Sequence, residues 1–358
     1  MKILQLINSH DPDAGGAEKL ARALHFGLRA RGIESGLVCF NRAPTSAREG
    51  IYSLHLPSPY HPLALPRLAR FLRRSRWRDA DVVHVHLFPA QLHFALAAHL
   101  LRLPGVNITT EHNTFNRRRA LPGARGLDRF TYRVYGAIVG ISEGTTDELR
   151  AYLPELAPRL HTISNGIALD RFLPVPLKTR TQAPPLLLSA SRLTAQKNHA
   201  LALDAMALLA QTHDFRFRIA GRGELEGALR AQIERLGLDN RVELLGFRAD
   251  TPELFAKADL FVSAAAWEGF GLSIAEAMAA GVPVVSSDVP GAREVVGDAG
   301  ILADASSPAS FAAALRALLD DESKRFDLSR AGRERAKLFD VSRMINSYAE
   351  LYAQVSRP

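Results

Sequence analysis

The sequence predicts an α/β protein made of two doubly wound domains with parallel sheets, and three observations carry that reading. Short apolar runs alternate with longer helical patterns along the chain. The alternation stops once, at a proline-rich stretch from Pro174 to Pro185, and then begins again. The length of 358 residues is about twice a ~150-residue domain, so each half can bury a core of its own.

Lys2 to Ile7 reads as a strand buried on both faces, followed by a Gly-rich turn and a helix from about Ala17 to Arg31. The strand signal returns at Gly36–Phe40, Asp81–His86, Val106–Thr110, Ala137–Ile141 and Leu160–Ser164. The break from Pro174 to Pro185 holds four prolines and no periodic apolar pattern. Beyond it, strands are expected at Leu186–Ala190, Arg216–Ala220, Val242–Leu245, Leu260–Ser263 and Val282–Ser286. The tail from Val341 to Val355 has amphipathic helical spacing. Domain boundaries are therefore expected at 1–175 and 176–340, and tandem doubly wound domains would face each other across a cleft at the carboxyl ends of their strands.

Composition narrows the function classes. Cys39 is the one cysteine, which excludes a disulfide framework and a cysteine-built zinc site and suits a reducing compartment. No apolar run approaches the ~18 residues of a membrane-spanning helix, and Met1 to Ile7 does not read as a signal peptide, so a soluble chain is expected. The net charge of +8 is unevenly placed: residues 1–178 hold 24 Lys and Arg against 14 Asp and Glu, while residues 179–358 hold 21 against 23. Arg67–Arg78 carries six arginines and no acid, and Arg117–Arg133 six arginines and one aspartate. Such asymmetry fits a polyanionic partner, anionic lipid or nucleic acid, or an arginine-rich composition without a partner.

Several residue groups could carry chemistry. The strand Leu186–Ala190 runs into Ser191-Arg192, and Lys197 follows just ahead of a helix whose cap would be Asn198. A lysine there faces the positive end of the helix dipole, a poor position without an anion, so Arg192 and Lys197 could converge on a diphosphate or simply be solvated loop cations. Gly221-Arg222-Gly223 fits a tight turn better than a phosphate cradle. Glu268-Gly269-Phe270-Gly271-Leu272 forms a loop ahead of a helix that Gly281 stops. Glycines there let main-chain N–H groups approach a ligand. Glu276 could instead close a capping box with Ser273, whereas Glu268 precedes the helix and has no such role. In the first half, Gly15-Gly16-Ala17-Glu18 opens a helix without a full dinucleotide fingerprint. His86 and His112, at strand carboxyl ends, are better cleft candidates than His10, His25, His55 or His61. Asp11-Pro12-Asp13 imitates a metal-binding Asp-x-Asp, but its loop position and proline speak against one.

Taken together, these residues resemble glycosyltransferase family 4, the retaining sugar-nucleotide transferases of the GT-B fold. The resemblance runs through Gly15-Gly16-Ala17-Glu18, Asp81–His86, Asn165-Gly166-Ile167, Ser191-Arg192-Leu193 with Lys197-Asn198, and Glu268–Leu272 through Glu276–Gly281. It implies an N-terminal acceptor-binding domain, a C-terminal nucleotide-sugar-binding domain, and a last helix, 341–358, that packs back on the first. Arg192 and Lys197 would hold the donor diphosphate, Glu276 the ribose hydroxyls, and Glu268 the transferred sugar. The main-chain amides of Phe270, Gly271 and Leu272 would bind sugar hydroxyls or phosphate. Gly16 would bring the first-domain loop against the diphosphate, His112 would lie near the donor sugar, and the base near Phe247. No metal and no other cofactor is implied.

The expected activity is therefore transfer of a sugar, from a UDP-linked donor by default, to a glycan in cell-surface polysaccharide, lipopolysaccharide or glycolipid synthesis. Leu65, Leu68, Ala69 and Leu72, interleaved with Arg67, Arg70, Arg73 and Arg74, read as a basic amphipathic helix. That pattern suggests a polyprenyl-diphosphate-linked or glycolipid acceptor and a peripheral place on an anionic, cytoplasmic membrane face; the same stripe could equally cover its own sheet. The alternatives are a sugar-nucleotide 2-epimerase and a non-catalytic nucleotide-sugar or nucleic-acid binding protein. Aromatic residues for base stacking are sparse among the arginines, so nucleic acid is not the expected partner.

Overall fold

The computed structural model describes residues 1–9, 11, 15–172 and 184–356. The chain divides into two compact units, Met1–Gly166 together with Val341–Pro358, and Ile167–Asp340. His10, Pro12, Asp13 and most of the proline-rich break lie outside the described residues.

The first unit is a seven-stranded, all-parallel sheet. Its strands are β1 (Lys2–Ile7), β2 (Glu34–Asn41), β3 (Ile51–Leu56), β4 (Val82–His86), β5 (Val106–Glu111), β6 (Ala137–Gly140) and β7 (Leu160–Thr162). Their order is β3-β2-β1-β4-β5-β6-β7, so the chain reverses its direction of travel across the sheet between β1 and β4. Helices α1 (Gly16–Ala30), α2 (Ala64–Arg74), α3 (Ala90–Leu101), α4 (Ala124–Tyr132) and α5 (Glu143–Tyr152) form the crossovers. Every residue of β4 is buried, which is why that segment shows no inside–outside alternation. The C-terminal helix, Val341–Val355, belongs to this unit and packs on α1, where Ile345 fills the place a side chain on Gly27 would need. Its Tyr352 hydroxyl lies 2.6 Å from His84 Nδ1, and its Tyr348 hydroxyl 3.0 Å from Thr110 Oγ1.

The second unit repeats the plan with six parallel strands. They are β8 (Leu186–Ala190), β9 (Arg216–Ala220), β10 (Val242–Gly246), β11 (Leu260–Ser263), β12 (Val284–Ser287) and β13 (Ile301–Ala303), in the order β10-β9-β8-β11-β12-β13. Its helices are α6 (His199–Leu209), α7 (Glu226–Arg235), α8 (Thr251–Lys257), α9 (Leu272–Ala279), α10 (Pro290–Val296), α11 (Pro308–Leu319) and α12 (Glu322–Ala336). Leu187, Phe217, Ile219, Val262 and Val285 from the sheet meet Leu203, Met206, Phe311 and Leu315 from α6 and α11 in one core. Here the reversal falls between β8 and β11, so the loops that follow those two neighbouring strands must emerge side by side.

Two strands are absent from the sequence reading. β3 is an edge strand whose polar residues Ser53 and His55 break the buried-strand pattern, and β13 has three residues, too few to show a period. The apolar stripe of α2 is also placed: Ala64, Leu68 and Leu72 are fully buried in the first unit's core. That stripe covers its own sheet, while Arg70, Arg73 and Arg74 are exposed and Arg67 donates to the Leu54 and His55 carbonyls of β3 at 2.8 and 2.9 Å.

Candidate functional site

In the second unit the decisive geometry lies in the loops after β8 and β11. The Ala266 amide donates to the Gln196 carbonyl at 2.8 Å, and Gln196 Nε2 donates to the Trp267 carbonyl at 3.1 Å, stitching the two loops together. One residue further along each loop, Lys197 Nζ forms an ion pair with Glu268 Oε2. Both side chains are largely withdrawn from water, at 16% and 10% exposure, so charge placed here is screened weakly. Glu268 also accepts the Gly269 amide through Oε1 at 3.2 Å. Arg192 stands exposed at the start of the Lys197 loop.

Of the other predicted residues, Phe270, Gly271, Leu272 and Glu276 follow Glu268 in the chain, whereas Phe247 follows β10, two strands from β8. Gly271, at φ +98, turns the chain into α9, so Leu272 begins the helix. No side chain caps α9, which removes the Ser273–Glu276 capping box and leaves Glu276 half-buried in the second turn. Phe270 is buried with its ring edge-on to Phe339 at 5.2 Å, so its main chain is what it can offer a ligand. Phe247 follows β10, is 41% exposed, and has the Arg222 guanidinium 6.0 Å from its ring centre. Asn198 precedes α6 in the left-handed region, at φ +47, without a side-chain cap bond, so it shapes the turn rather than capping the helix as expected.

The Gly221–Gly223 segment is structural. A side chain on Gly221 would lie 1.9 Å from the Ser191 carbonyl oxygen, and one on Gly223 2.2 Å from that of Leu193. These glycines let the β9 loop lie flat on the Arg192 loop, with Leu193 N–H donating to Arg222 O at 2.9 Å.

Two residues missed in the sequence brace the loops that carry the pair. His199 is buried at the start of α6, Nε2 3.0 Å from the Ser191 hydroxyl, and burial pushes its imidazole down to about 4. Gly291, in the first turn of α10, is where a side chain would sit 2.5 Å from the Glu268 carbonyl oxygen. A histidine opening an apolar helix and a glycine after proline are common enough that neither carries a signal in sequence.

In the first unit, His86 ends β4 and His112 follows β5, its neighbour. His86 Nδ1 lies 3.3 Å from His112 Nε2, and His86 Nε2 lies 3.3 Å from the Gln5 side-chain oxygen. Burial pushes His112 down to about 4 and His86 well below the ordinary range, and the crowding of three imidazoles reinforces the effect at His86. His84, held by Tyr352 and Thr110, is lowered to about 3 by the same burial and has a packing role. Beside His112, Glu111 accepts from Gln91 at 2.7 Å, from Tyr132 at 2.6 Å and from Arg119 at 3.1 Å. This fully bonded carboxylate anchors the segment that carries His112. Leu87, directly after His86, has φ +67, a costly conformation for a leucine, and Asn8 braces the same turn by donating to Phe88 O at 3.0 Å. Gly16 opens α1 and is exposed. Among the described residues, no group of three or more His, Cys, Asp or Glu is placed to hold a metal ion, and no helix is long and apolar enough to cross a membrane.

Two family models match the sequence. Residues 14–171 match the model of Glycosyltransferase Family 4, and residues 178–335 that of Glycosyl transferases group 1. The chain belongs to glycosyltransferase family 4. It is therefore a glycosyltransferase of the GT-B fold, two Rossmann-like units each wound about a parallel sheet. Among solved structures, Anabaena HepE in complex with UDP-glucose aligns with a TM-score of 0.81 at 24% identity, over 99% of this chain and 100% of that one. The lipopolysaccharide core biosynthesis mannosyltransferase LpsB of Rhizobium meliloti is 28% identical over 84% of this chain and 87% of its own. A Campylobacter jejuni N-acetylgalactosaminyltransferase acting on an N-acetylgalactosamine-N,N'-diacetylbacillosaminyl-diphospho-undecaprenol is 32% identical over 202 residues, which take in 56% of this chain and 55% of that relative. The Rhizobium and Campylobacter relatives are transferases, not epimerases or binding proteins.

Proposed function

We propose that this glycosyltransferase is a retaining enzyme that moves a sugar from a UDP-linked donor to a lipid-linked glycan in cell-surface polysaccharide or lipopolysaccharide synthesis. The observation that carries the reading is the Lys197–Glu268 pair, a cation and a carboxylate set in weakly screened surroundings where two sheet-end loops meet. When the sugar leaves a nucleoside diphosphate, negative charge builds on the departing oxygen, and a fixed cation stabilises it without reorganising. Lys197 supplies that cation and Arg192 the second one. Glu268, released from Lys197 by the diphosphate, takes up the hydroxyls of the transferred sugar. Amides of Phe270, Gly271 and Leu272 add main-chain donors at the start of α9. Glu276 binds the ribose, Phe247 lies against the base, Gly16 approaches the diphosphate, and His112 contacts the sugar. With charge neutralised by side chains, no metal and no cofactor takes part.

The UDP preference draws on HepE, which was solved with UDP-glucose, and the acceptor draws on the Campylobacter relative and its undecaprenol-linked glycan. The basic surface of the first unit suits such an acceptor at an anionic, cytoplasmic membrane face. Arg70, Arg73 and Arg74 are exposed on α2, and Tyr60 (68%) and Leu63 (46%) stand exposed just before it. A thermal-shift panel of UDP-, GDP- and ADP-sugars tests the donor, and stabilisation by a GDP-sugar instead of a UDP-sugar would reassign it. Purified Glu268→Ala and Lys197→Ala variants are each expected to lose at least about a hundredfold in kcat; near-normal turnover in either removes the proposed site. Flotation with anionic and neutral liposomes tests the membrane surface, and indifference to lipid charge rejects it.

A further inference from the structure

Five side chains of the first unit form one hydrogen-bonded chain that begins at a main-chain carbonyl and ends at His112. The Glu49 carbonyl oxygen can only accept, so His25 Nε2, 2.9 Å away, carries a hydrogen. His25 is buried and neutral, which leaves its Nδ1 bare to accept the Ser35 hydroxyl at 2.9 Å. With its hydrogen committed, Ser35 must accept from Gln5, so the Gln5 amide nitrogen lies on that side, at 3.4 Å. The Gln5 oxygen then faces His86 and requires a hydrogen on His86 Nε2, at 3.3 Å. His86, buried and neutral, is left with a bare Nδ1, which accepts from His112 Nε2 at 3.3 Å. Reversing any of the first four links would oblige a carbonyl to donate or a hydroxyl to donate twice, and reversing the last would put a second hydrogen, and a charge, on the buried His86. The orientation of the whole chain is therefore fixed at its Glu49 end.

We propose that this relay holds His112 as the Nε2–H tautomer, so that Nδ1 is presented as a hydrogen-bond acceptor for a sugar hydroxyl, with Gln5 and His86 as positioning residues. The inference rests on the reading of His112 as a sugar contact. His112 then acts as a neutral acceptor and has no proton to give the reaction. The same network explains three otherwise unused polar side chains in the unit's interior. Gln5, Ser35 and His25 are each fully buried, where an unpaired polar group would be costly.

The test uses the full chain with 15N-labelled histidine. Long-range 15N–1H correlation at neutral pH, with the His112 signal assigned by its loss in His112→Ala, should show a hydrogen on Nε2 and a bare Nδ1. In Ser35→Ala, which removes one hydroxyl and little volume, and in Gln5→Leu, the His112 pattern should become a mixture of tautomers. In both variants kcat should fall by about tenfold while the KM for the donor holds. A His112 that carries its hydrogen on Nδ1 in the wild type overturns the proposal, as does a tautomer unmoved in both variants. Full activity in His112→Ala would sink the sugar-contact reading while leaving the tautomer result standing, so the two failures are told apart.

Discussion

Lys197 and Glu268 form an ion pair largely withdrawn from water, and the proposed function asks the same two side chains to meet the donor. Each neutralises the other, and removing one partner leaves a charge facing poorly hydrated surroundings. Lys197→Met and Glu268→Gln should each lower the unfolding midpoint, and the double variant should be more stable than the sum of the two losses predicts. A double-mutant cycle in urea is expected to give a coupling of about 0.5–3 kcal/mol, and strict additivity would show the pair to be incidental. Gly291 makes a second case. A methyl group there meets the Glu268 carbonyl at 2.5 Å, so Gly291→Ala must displace the main chain that carries Glu268. Donor turnover should drop by up to about a hundredfold, since small misplacements at a reacting centre are costly. Unchanged kinetics would show that the loop yields without disturbing the site. Glu268 stands out in the sequence as a candidate because it precedes a helix in a glycine-rich loop, where capping offers it no employment. Gly291 does not, because the collision that demands a glycine involves a residue on another strand's loop.

At the scale of elements, hydrophobic spacing located the central strands well, because a strand buried on both faces is a continuous apolar run. It missed two edge strands, β3 because it mixes polar residues and β13 because it is too short, while finding the edge strands β7 and β10. Spacing also cannot tell a helix that covers its own sheet from one that lies on a membrane, since both present the same stripe. α2 resolves the matter by burying Leu68 and Leu72 completely. Leu68→Ala and Leu72→Ala should therefore each cost about 2–5 kcal/mol of stability, with any loss of lipid binding confined to conditions that unfold the unit. A fold of wild-type stability would contradict that packing. The helical spacing of 341–355 predicted an amphipathic helix, but what its apolar face covers becomes visible only when Tyr348 and Tyr352 are seen beside Thr110 and His84. Tyr352→Phe should cost about 1–3 kcal/mol, because the His84 Nδ1 partner is removed from a site that water does not reach.

For the molecule as a whole, the histidines set an uneven response to acid. His25, His84 and His112 are lowered to about 4, 3 and 4, and His86 further below its ordinary value, all chiefly by burial, and all four belong to the first unit. In the second unit His199 is lowered in the same way, to about 4. An unfolded histidine takes up its proton near pH 6.5, whereas these remain neutral while folded until the pH nears 4. Between those values the unfolded chain binds more protons than the folded one, so stability falls as pH falls, with each such histidine adding up to ~1.4 kcal/mol per pH unit. The contribution is intact above pH 6.5 and is progressively lost below it. With four such groups against one, and His93 and His161 of the first unit also lowered by burial, the first unit should lose protection first. Hydrogen exchange followed by mass spectrometry from pH 7 to pH 5, corrected for intrinsic exchange rates, should show protection falling faster in β1, β4 and β5 than in β8, β11 and β12. Parallel loss in the two sheets would mean that the buried imidazoles are not the groups that acid exploits. His25→Gln should flatten the first unit's response, because it deletes one of the four titrating rings while keeping a polar side chain at that position.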